Sequence, residues 1–531
     1  MFNNPFSFTR QPIYAPSGMV ATSQPLAAEV GVSILKQGGN AVDAAIATAV
    51  ALTVLEPTQN GIGGDAFALL WDGKKVHGLN SSGRSPALLD RDYLGLGEGD
   101  SMPTYGWPGV TVPGAPRSWI EMHRNFGRLP FRQLFEPAIH YARYGYPLGP
   151  VVAEYWRRAH RIFSQLEGPE FAPWHATFMP SGFSPRAGQI WRSEEMAQTL
   201  ETLADSETQD FYQGRLAEQI AQFSKDTGGA LRYEDLAAHT SEWVDPISAH
   251  YKGHDIWELP PNNQAIATLM ALKKLQEIQL PDHWDSPQGI HLQIEAMKLA
   301  FADTLAYVGD PEHSKISPQA MLDDAYIAER RALIGDEASD PAAGLPENGN
   351  TVYLSVVDKD GMMVSFIQSN YMGFGSGVVV PQTGIALHNR GHSFKLESGH
   401  PNELGPNKRP YHTIMPGFMT RDGQAVGPFG VMGAFMQPQG HLQVAVNTLN
   451  YGINPQTVLD LPRWMWVKGK EIRVEQSMPK EVVLGLLERG HEVSVSPDDT
   501  GFGRGQIIWR QPNSVLVAGS DGRADGQAIG Y

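Results

Sequence analysis

The 531 residues include 57 acidic against 41 basic side chains, a formal charge of −16 that argues against nucleic acid or any other polyanion as partner. No cysteine is present, which excludes disulfides, thiolate metal sites and a cysteine nucleophile, so covalent chemistry falls to threonine and serine. The length suggests about three or four ordinary domains, though large sandwich folds run as one unit.

The N-terminal MFNNPFSFTRQPIYAPSG has no apolar core of a leader, and no run approaches about 20 apolar residues, so a cytoplasmic protein outside the membrane is expected. Residues 25–55, PLAAEVGVSILKQGGNAVDAAIATAVALTVL, read as two apolar helices, with Gly38, Gly39 and Asn40 supplying the stop and restart. NGIGGD at 60–65 is glycine-rich but lacks the lysine and hydroxyl of a phosphate loop, so close backbone packing is expected. FALLW and KVHGLN around an Asp-Gly turn give a hairpin signal. Residues 117–330 are mostly helical by period and read as scaffold. The stretch 336–350, DEASDPAAGLPENGN, is acidic, rich in Pro and Gly and without apolar period, which predicts a flexible linker or tail. Beyond it TVYLSVVD, MVSFIQSN, SGVVVP and IALHN read as strands, followed by HTIMPGFMT and by helices near HLQVAVNTLNYG and PKEVVLGLLERG. EVSVS, GQIIWR and SVLVAGS read as the final strands. Helices, then mainly antiparallel strands, then helices again predict an α+β fold of sheets sandwiched by helical layers.

Thr351 opens the strand TVYLSVVD directly after the linker, and side chains alternate along a strand, so Thr351, Tyr353, Ser355 and Val357 share one face. A cut between Asn350 and Thr351 leaves an α-amine on the residue that carries the hydroxyl. With an unperturbed pKa of about 7.7–8.0, that amine can serve as base for its own side chain. The plain alternative is a β-branched residue that begins a strand. Five histidines between 388 and 441 (His388, His392, His400, His412 and His441) raise the question of a metal. His388 and His392 have i, i+4 spacing, but Asn389, Arg390 and Gly391 read as turn and no carboxylate pattern accompanies them, so neither metal nor cofactor is expected.

GGNAVDAAIATAVALTVLEP, NGIGGDAF, VTVPGAP, TVYLSVVDKDG, KRPYHTIMPGF and the C-terminal DGQAIGY resemble the γ-glutamyltranspeptidase family over nearly the whole chain. The resemblance implies an N-terminal-nucleophile (Ntn) hydrolase of αββα architecture, two stacked and mainly antiparallel sheets between helical layers. It implies a precursor that cleaves itself before Thr351 into a large subunit, 1–350, and a small subunit, 351–531, which remain one αββα unit. A homodimer of that processed heterodimer is left open.

By the same resemblance Ser369 takes the place of a hydroxyl that hydrogen-bonds the nucleophile, and Arg84 that of an arginine whose planar fork clamps the substrate carboxylate. His412 and Thr413 fall on a serine pair that contacts the carboxylate, and Thr413 keeps the hydroxyl. Gly433 and Ala434 fall on a glycine pair whose N–H groups form the oxyanion hole; Ala434 can donate provided its backbone does not need φ > 0. Ser393, flanked by His392, stands where transpeptidases use an aspartate to hold the α-ammonium of a γ-glutamyl substrate, and Tyr371 replaces an asparagine that binds the same head group. With that anion gone and His388, Arg390 and His392 nearby, the pocket is expected to suit a carboxylate rather than an ammonium. Arg390 or a histidine then competes with Arg84 for the clamping role. These departures are similar to the γ-glutamyltranspeptidase-like branch, which includes oxamate amidohydrolases of purine breakdown. The expected reaction is hydrolysis of a small carboxylate-bearing amide, oxamate to oxalate and ammonia. Glutathione hydrolysis or γ-glutamyl transfer, a cephalosporin-type acylase and an inactive, uncleaved binding protein are the alternatives.

Overall fold

The computed structural model describes residues 10–97, 99–341, 350–498 and 501–531. Two seven-stranded antiparallel sheets face each other, with helices packed outside both. One sheet runs through Gln527–Gly530, Met19–Thr22, Asn350–Val357, Met363–Tyr371, Asp65–Trp71, Val76–Ser81 and Glu242–Val244. The other runs through Ile13–Ala15, Leu516–Ser520, Arg504–Arg510, Gln424–Met432, Gly417–Arg421, His254–Glu258 and Ile247–Tyr251. Each sheet takes strands from both sides of Thr351, so the two halves of the chain share one αββα sandwich.

Period-two patterning accounts for the layering. In the strand Asn350–Val357, Val352, Leu354 and Val356 face the apolar layer beneath the helices Pro25–Lys36 and Ala41–Leu55. Tyr353 and Val357 face the other way, into the layer between the sheets with Phe67, Ile367, Phe418 and Ile508. A third layer lies between the second sheet and the helices Ile266–Gln276 and Met436–Tyr451, with Pro287–Tyr307 packed behind. Every side chain of Ala41–Leu55 is buried, so this predominantly apolar helix is covered on all sides. Each fully buried Val, Leu or Ile in these layers contributes about 1.5–3 kcal/mol relative to exposure.

The stop and restart before that helix is built as expected: Gly38 has φ +97°, and Asn40 forms a capping box with Asp43. The Asp-Gly hairpin pairs Asp65–Trp71 with Val76–Ser81. The scaffold expected over 117–330 is corrected in one part. Glu242–Val244 closes one sheet edge, and the hairpin Ile247–Tyr251 with His254–Glu258 closes an edge of the other. SGVVVP and IALHN are not strands; they meet in a single antiparallel bridge, Val379 to Ala386. EVSVS pairs into a separate three-stranded sheet as Glu492–Val495. Within the stretch expected to be a linker, Ala338 is buried and Ser339 is hydrogen-bonded, whereas 342–349 fall outside the described residues.

Candidate active site

Thr351 lies at the second position of its strand, where the pairing with Met363–Tyr371 is irregular. Asn350 pairs with Tyr371 and Val352 with Gln368, so Ser369 and Asn370 together oppose the single Thr351. Such a bulge bends the strand and re-aims a side chain. Thr351 Oγ1 and Ser369 Oγ lie 3.1 Å apart, and the Tyr371 N–H donates to Ser369 Oγ at 2.8 Å. Both hydroxyls are buried. Tyr371 reaches this position with φ +75°, in the left-handed region that a bulky residue seldom adopts.

The Thr351 face looks across the sandwich at the strand Gln424–Met432. The Ser355 hydroxyl lies 3.5 Å from Pro428 O, and the Tyr353 ring covers Gly430 so closely that a Cβ there would come within 2.5 Å. That strand ends at Met432, the residue before Gly433 and Ala434. Those two link the strand to the helix Met436–Tyr451, at its positive end. Gly433 has φ +132° and Ala434 φ +48°, so the alanine does take the left-handed backbone that the sequence set against it. Gln264 holds this turn. Its Nε2 donates to Ala434 O at 2.8 Å and to Thr413 O at 2.7 Å, tying the two expected substrate-facing segments together.

Asp65 was not singled out by the sequence, yet it organises the neighbouring polar cluster. It pairs with Ser369 across the sheet and accepts from the Gly83 and Gly114 N–H groups and from His412 Nε2 at 2.9 Å. His412 Nδ1 faces the Ile414 N–H as acceptor, so Nε2 carries the proton given to Asp65. Burial raises the Asp65 carboxyl to about 7, against the pull of Arg390 and the two amides, and holds His412 well below its usual value. His388 also faces Asp65, at 3.9 Å, and burial beside Arg390 lowers it to about 3. The glycines of NGIGGD make the expected close approach: a Cβ on Gly63 would lie 2.3 Å from Ala386 O, and one on Gly64 2.6 Å from Ser369 O.

Arg390 is buried and stacks its guanidinium on Tyr371, 3.9 Å from the ring centroid. Its NH1 donates to Thr413 Oγ1 at 2.8 Å, and its NH2 has no partner among the described residues. Burial lowers Arg390 to about 10, with Tyr371 and Asp65 pulling it up, so it stays cationic near neutrality. Arg84 stands apart from this set. It is ion-paired with Asp310 at 3.0 Å and Glu312 at 2.8 Å, and lines a cavity of about 220 Å³ with Asp235, His239 and Arg409.

Tyr371, whose backbone N–H meets Ser369, also lines a cavity of about 320 Å³. Met102, Leu305, Phe394, Tyr411 and Phe435 make much of its lining apolar, and His392, Ser393, Lys395 and Asp100 supply polar groups. His392 Nδ1 lies 2.8 Å from Met102 O; the Ser393 hydroxyl contacts Tyr411 O at 2.7 Å and Arg390 O at 2.9 Å. Thus Thr351, Ser369, Tyr371, Arg390, His412 and Thr413 form one connected set, bordered by His392 and Ser393. His400 contacts Leu305 O, and His441 pairs with Glu258. No helix among the described residues is long and apolar enough to cross a membrane.

The family model for gamma-glutamyltranspeptidase matches residues 27–531. The glutathione hydrolase-like YwrD proenzyme of Bacillus subtilis is 35% identical, over 96% of this chain and 98% of the relative. The oxamate amidohydrolase proenzyme of Klebsiella pneumoniae is 33% identical, over 97% and 98%. A solved cephalosporin acylase from Bacillus halodurans is similar over 100% of this chain and 98% of its own, with 51% identity and a TM-score of 0.96. With the match running through both sheets and every residue of the connected set, the chain belongs to the γ-glutamyltranspeptidase family.

Proposed function

We propose that this chain is a precursor that cleaves itself between Asn350 and Thr351, and that the freed Thr351 hydrolyses an amide whose acyl group bears a carboxylate. Thr351 Oγ attacks the amide carbonyl and its own α-amine accepts the hydroxyl proton. The Gly433 and Ala434 N–H groups hold the oxyanion, each such donor being worth about 3–4 kcal/mol in the transition state. Ser369 orients the nucleophile; the amine leaves with the proton, and water releases the acid from the acyl-enzyme. The observation that carries the reading is the 3.1 Å Thr351–Ser369 hydroxyl pair at a bulged strand end, joined through Tyr371 to a buried arginine with an unpartnered arm. Arg390 and Thr413 take the carboxylate, and the apolar cavity beside Tyr371 takes the body of the substrate.

That cavity favours an acylase-type substrate, an amide with a bulky apolar part, and the cephalosporin acylase of 51% identity supports the same direction. Oxamate is the second reading. It is the smallest member of the class, is favoured by a cationic clamp, and is the substrate named for a relative of 33% identity.

Glutaryl and γ-glutamyl anilides differ only in the α-ammonium. The processed enzyme is expected to release aniline faster from the glutaryl compound, with ammonia release from oxamate measured beside it. A γ-glutamyl rate about tenfold higher would overturn the carboxylate-only pocket. Thr351→Ala is expected to remain one full-length band on a denaturing gel and to turn over none of the three. Two fragments from Thr351→Ala would remove this residue from the cleavage chemistry.

A further inference from the structure

On the helix Pro287–Tyr307, His291, Glu295 and Lys298 stand at i, i+4 and i+7 and share one face. They meet His491, which follows the helix Lys480–Glu488 in the other half of the chain, and all four side chains are buried. His291, Glu295 and His491 bring ligand atoms within 4.8 Å of one another, the spacing of a metal site. The hydrogen bonds argue for another use.

His291 Nε2 lies 2.9 Å from Gly335 O, which can only accept, so Nε2 carries the proton and Nδ1 is an acceptor. His491 Nε2, 2.8 Å from that Nδ1, must therefore donate, which leaves His491 Nδ1 to accept from Lys298 Nζ at 3.5 Å. Lys298 Nζ also donates to Glu295 Oε1 at 2.7 Å and to Ser339 O at 3.1 Å. Glu295 Oε2 accepts from the Ser339 N–H at 3.1 Å and from the Ser339 hydroxyl. The lysine ammonium thus fills the place a cation would take. Burial keeps both histidines on their neutral side, His491 at about 3, as the one-way donor relay requires.

Both ends of this relay close on the same segment, Gly335 at one end and Ser339 at the other. Between them the Ala338 N–H donates to Arg489 O at 2.7 Å, beside His491. The segment lies upstream of Asn350 and is held by the side chains of His291, Glu295 and Lys298 and by the Arg489 carbonyl from beyond Thr351, with His491 bridging His291 and Lys298. We propose that Lys298, Glu295, His291 and His491 form a clasp whose role is to position the strand-entering chain for self-cleavage and then to keep the tail of the large piece bound to the small one. Fixing one point of a chain raises the local concentration of its downstream residues at the site, and after a cut the clasp still holds the end of the large piece. These are positioning residues: none touches the reacting atoms.

The inference rests on the self-cleavage proposed above, and wild-type protein separates the two: a wild type that never yields two bands removes the cleavage reading itself. With cleavage established, Ser339→Ala and the paired Glu295→Gln, Lys298→Met, which exchanges the buried ion pair for neutral groups of similar size, are purified as fresh precursor. The time course of the full-length band is expected to slow about tenfold. In the processed forms, amide hydrogen exchange over 335–341 is expected to accelerate and a glutamate-specific protease to cut at Glu337, with thermal unfolding of Ser339→Ala close to wild type. Wild-type cleavage rates together with unchanged exchange in both variants would overturn the clasp. So would loss of cleavage on EDTA treatment with recovery on adding zinc, which would make the cluster a metal site. An EDTA-treated precursor that cleaves normally supports it.

Discussion

A buried guanidinium with one arm unpartnered is costly unless something completes it, since an unsatisfied buried donor costs about 1–3 kcal/mol. Arg390 is in that condition, while Arg84 spends both of its terminal nitrogens on Asp310 and Glu312. Arg390→Ala in the processed enzyme is therefore expected to raise KM for a carboxylate substrate about tenfold or more, with a smaller rise from Arg84→Ala. Arg390→Lys keeps charge but loses the fork and the stacking on Tyr371, so it should recover only part of the loss. A larger KM effect at Arg84 would return the clamp to that residue. In the sequence both arginines were visible as candidates; their partners, contributed by residues far along the chain, were not. Asp65 shows the same limit. Its motif reads as packing, and only the approach of His412 makes it an electrostatic centre.

Strands and turns hold these residues by close backbone contact. Gly64 lies against Ser369, and a Cβ placed there falls 2.6 Å from a carbonyl oxygen that cannot swing aside. Gly64→Ala is expected to destabilise by about 1–3 kcal/mol and, by shifting Ser369, to slow cleavage more than the stability loss explains. A variant with wild-type Tm and cleavage rate would show that the bulge tolerates the shift. Ala434 provides the opposite case. Relief of its left-handed backbone and the extra freedom of glycine in the unfolded chain are of similar size, about 1 kcal/mol each, so Ala434→Gly should leave Tm nearly unchanged and keep activity. Long periodic elements such as Ala41–Leu55 were legible because their apolar pattern is strong. Short ones were not: Ile13–Ala15, Met19–Thr22 and Gln527–Gly530 are strands only because a neighbour supplies their hydrogen bonds.

For the whole molecule, buried ionisable groups set how stability follows pH. Burial lowers His239, His388, His441 and His491 to about 3, so their contribution is full above about 6.5 and is lost as pH falls through that value. Glu56 and Asp65, raised to about 8 and 7, act in the opposite sense: their contribution is full below the ordinary carboxylate range and fades as pH rises. Glu258 and His412 shift in opposed senses and offset each other. His291 and His400 are lowered as well, and burial also raises Asp235, Asp303, Asp358, Asp460 and Asp525, so between about pH 4.5 and 6.5 the protons bound by histidines of the unfolded chain are opposed by those held on native carboxylates and the net slope is shallow. Tm is therefore expected to change little between pH 5 and pH 7; a steep fall toward pH 5 would show that the histidines outweigh the carboxylates. The sequence by itself determined the layered α+β class and the alternating strand that carries Thr351, because period and turn chemistry are local, while the roles expected of Ser369 and Ser393 came from the family resemblance. Tertiary structure alone decided that Arg390 rather than Arg84 has an open arm, that Asp65 meets His412, and that His291 and His491, 200 residues apart, pair beside the segment 335–339. Those depend on which distant side chains share a low-dielectric interior, and no local pattern records that.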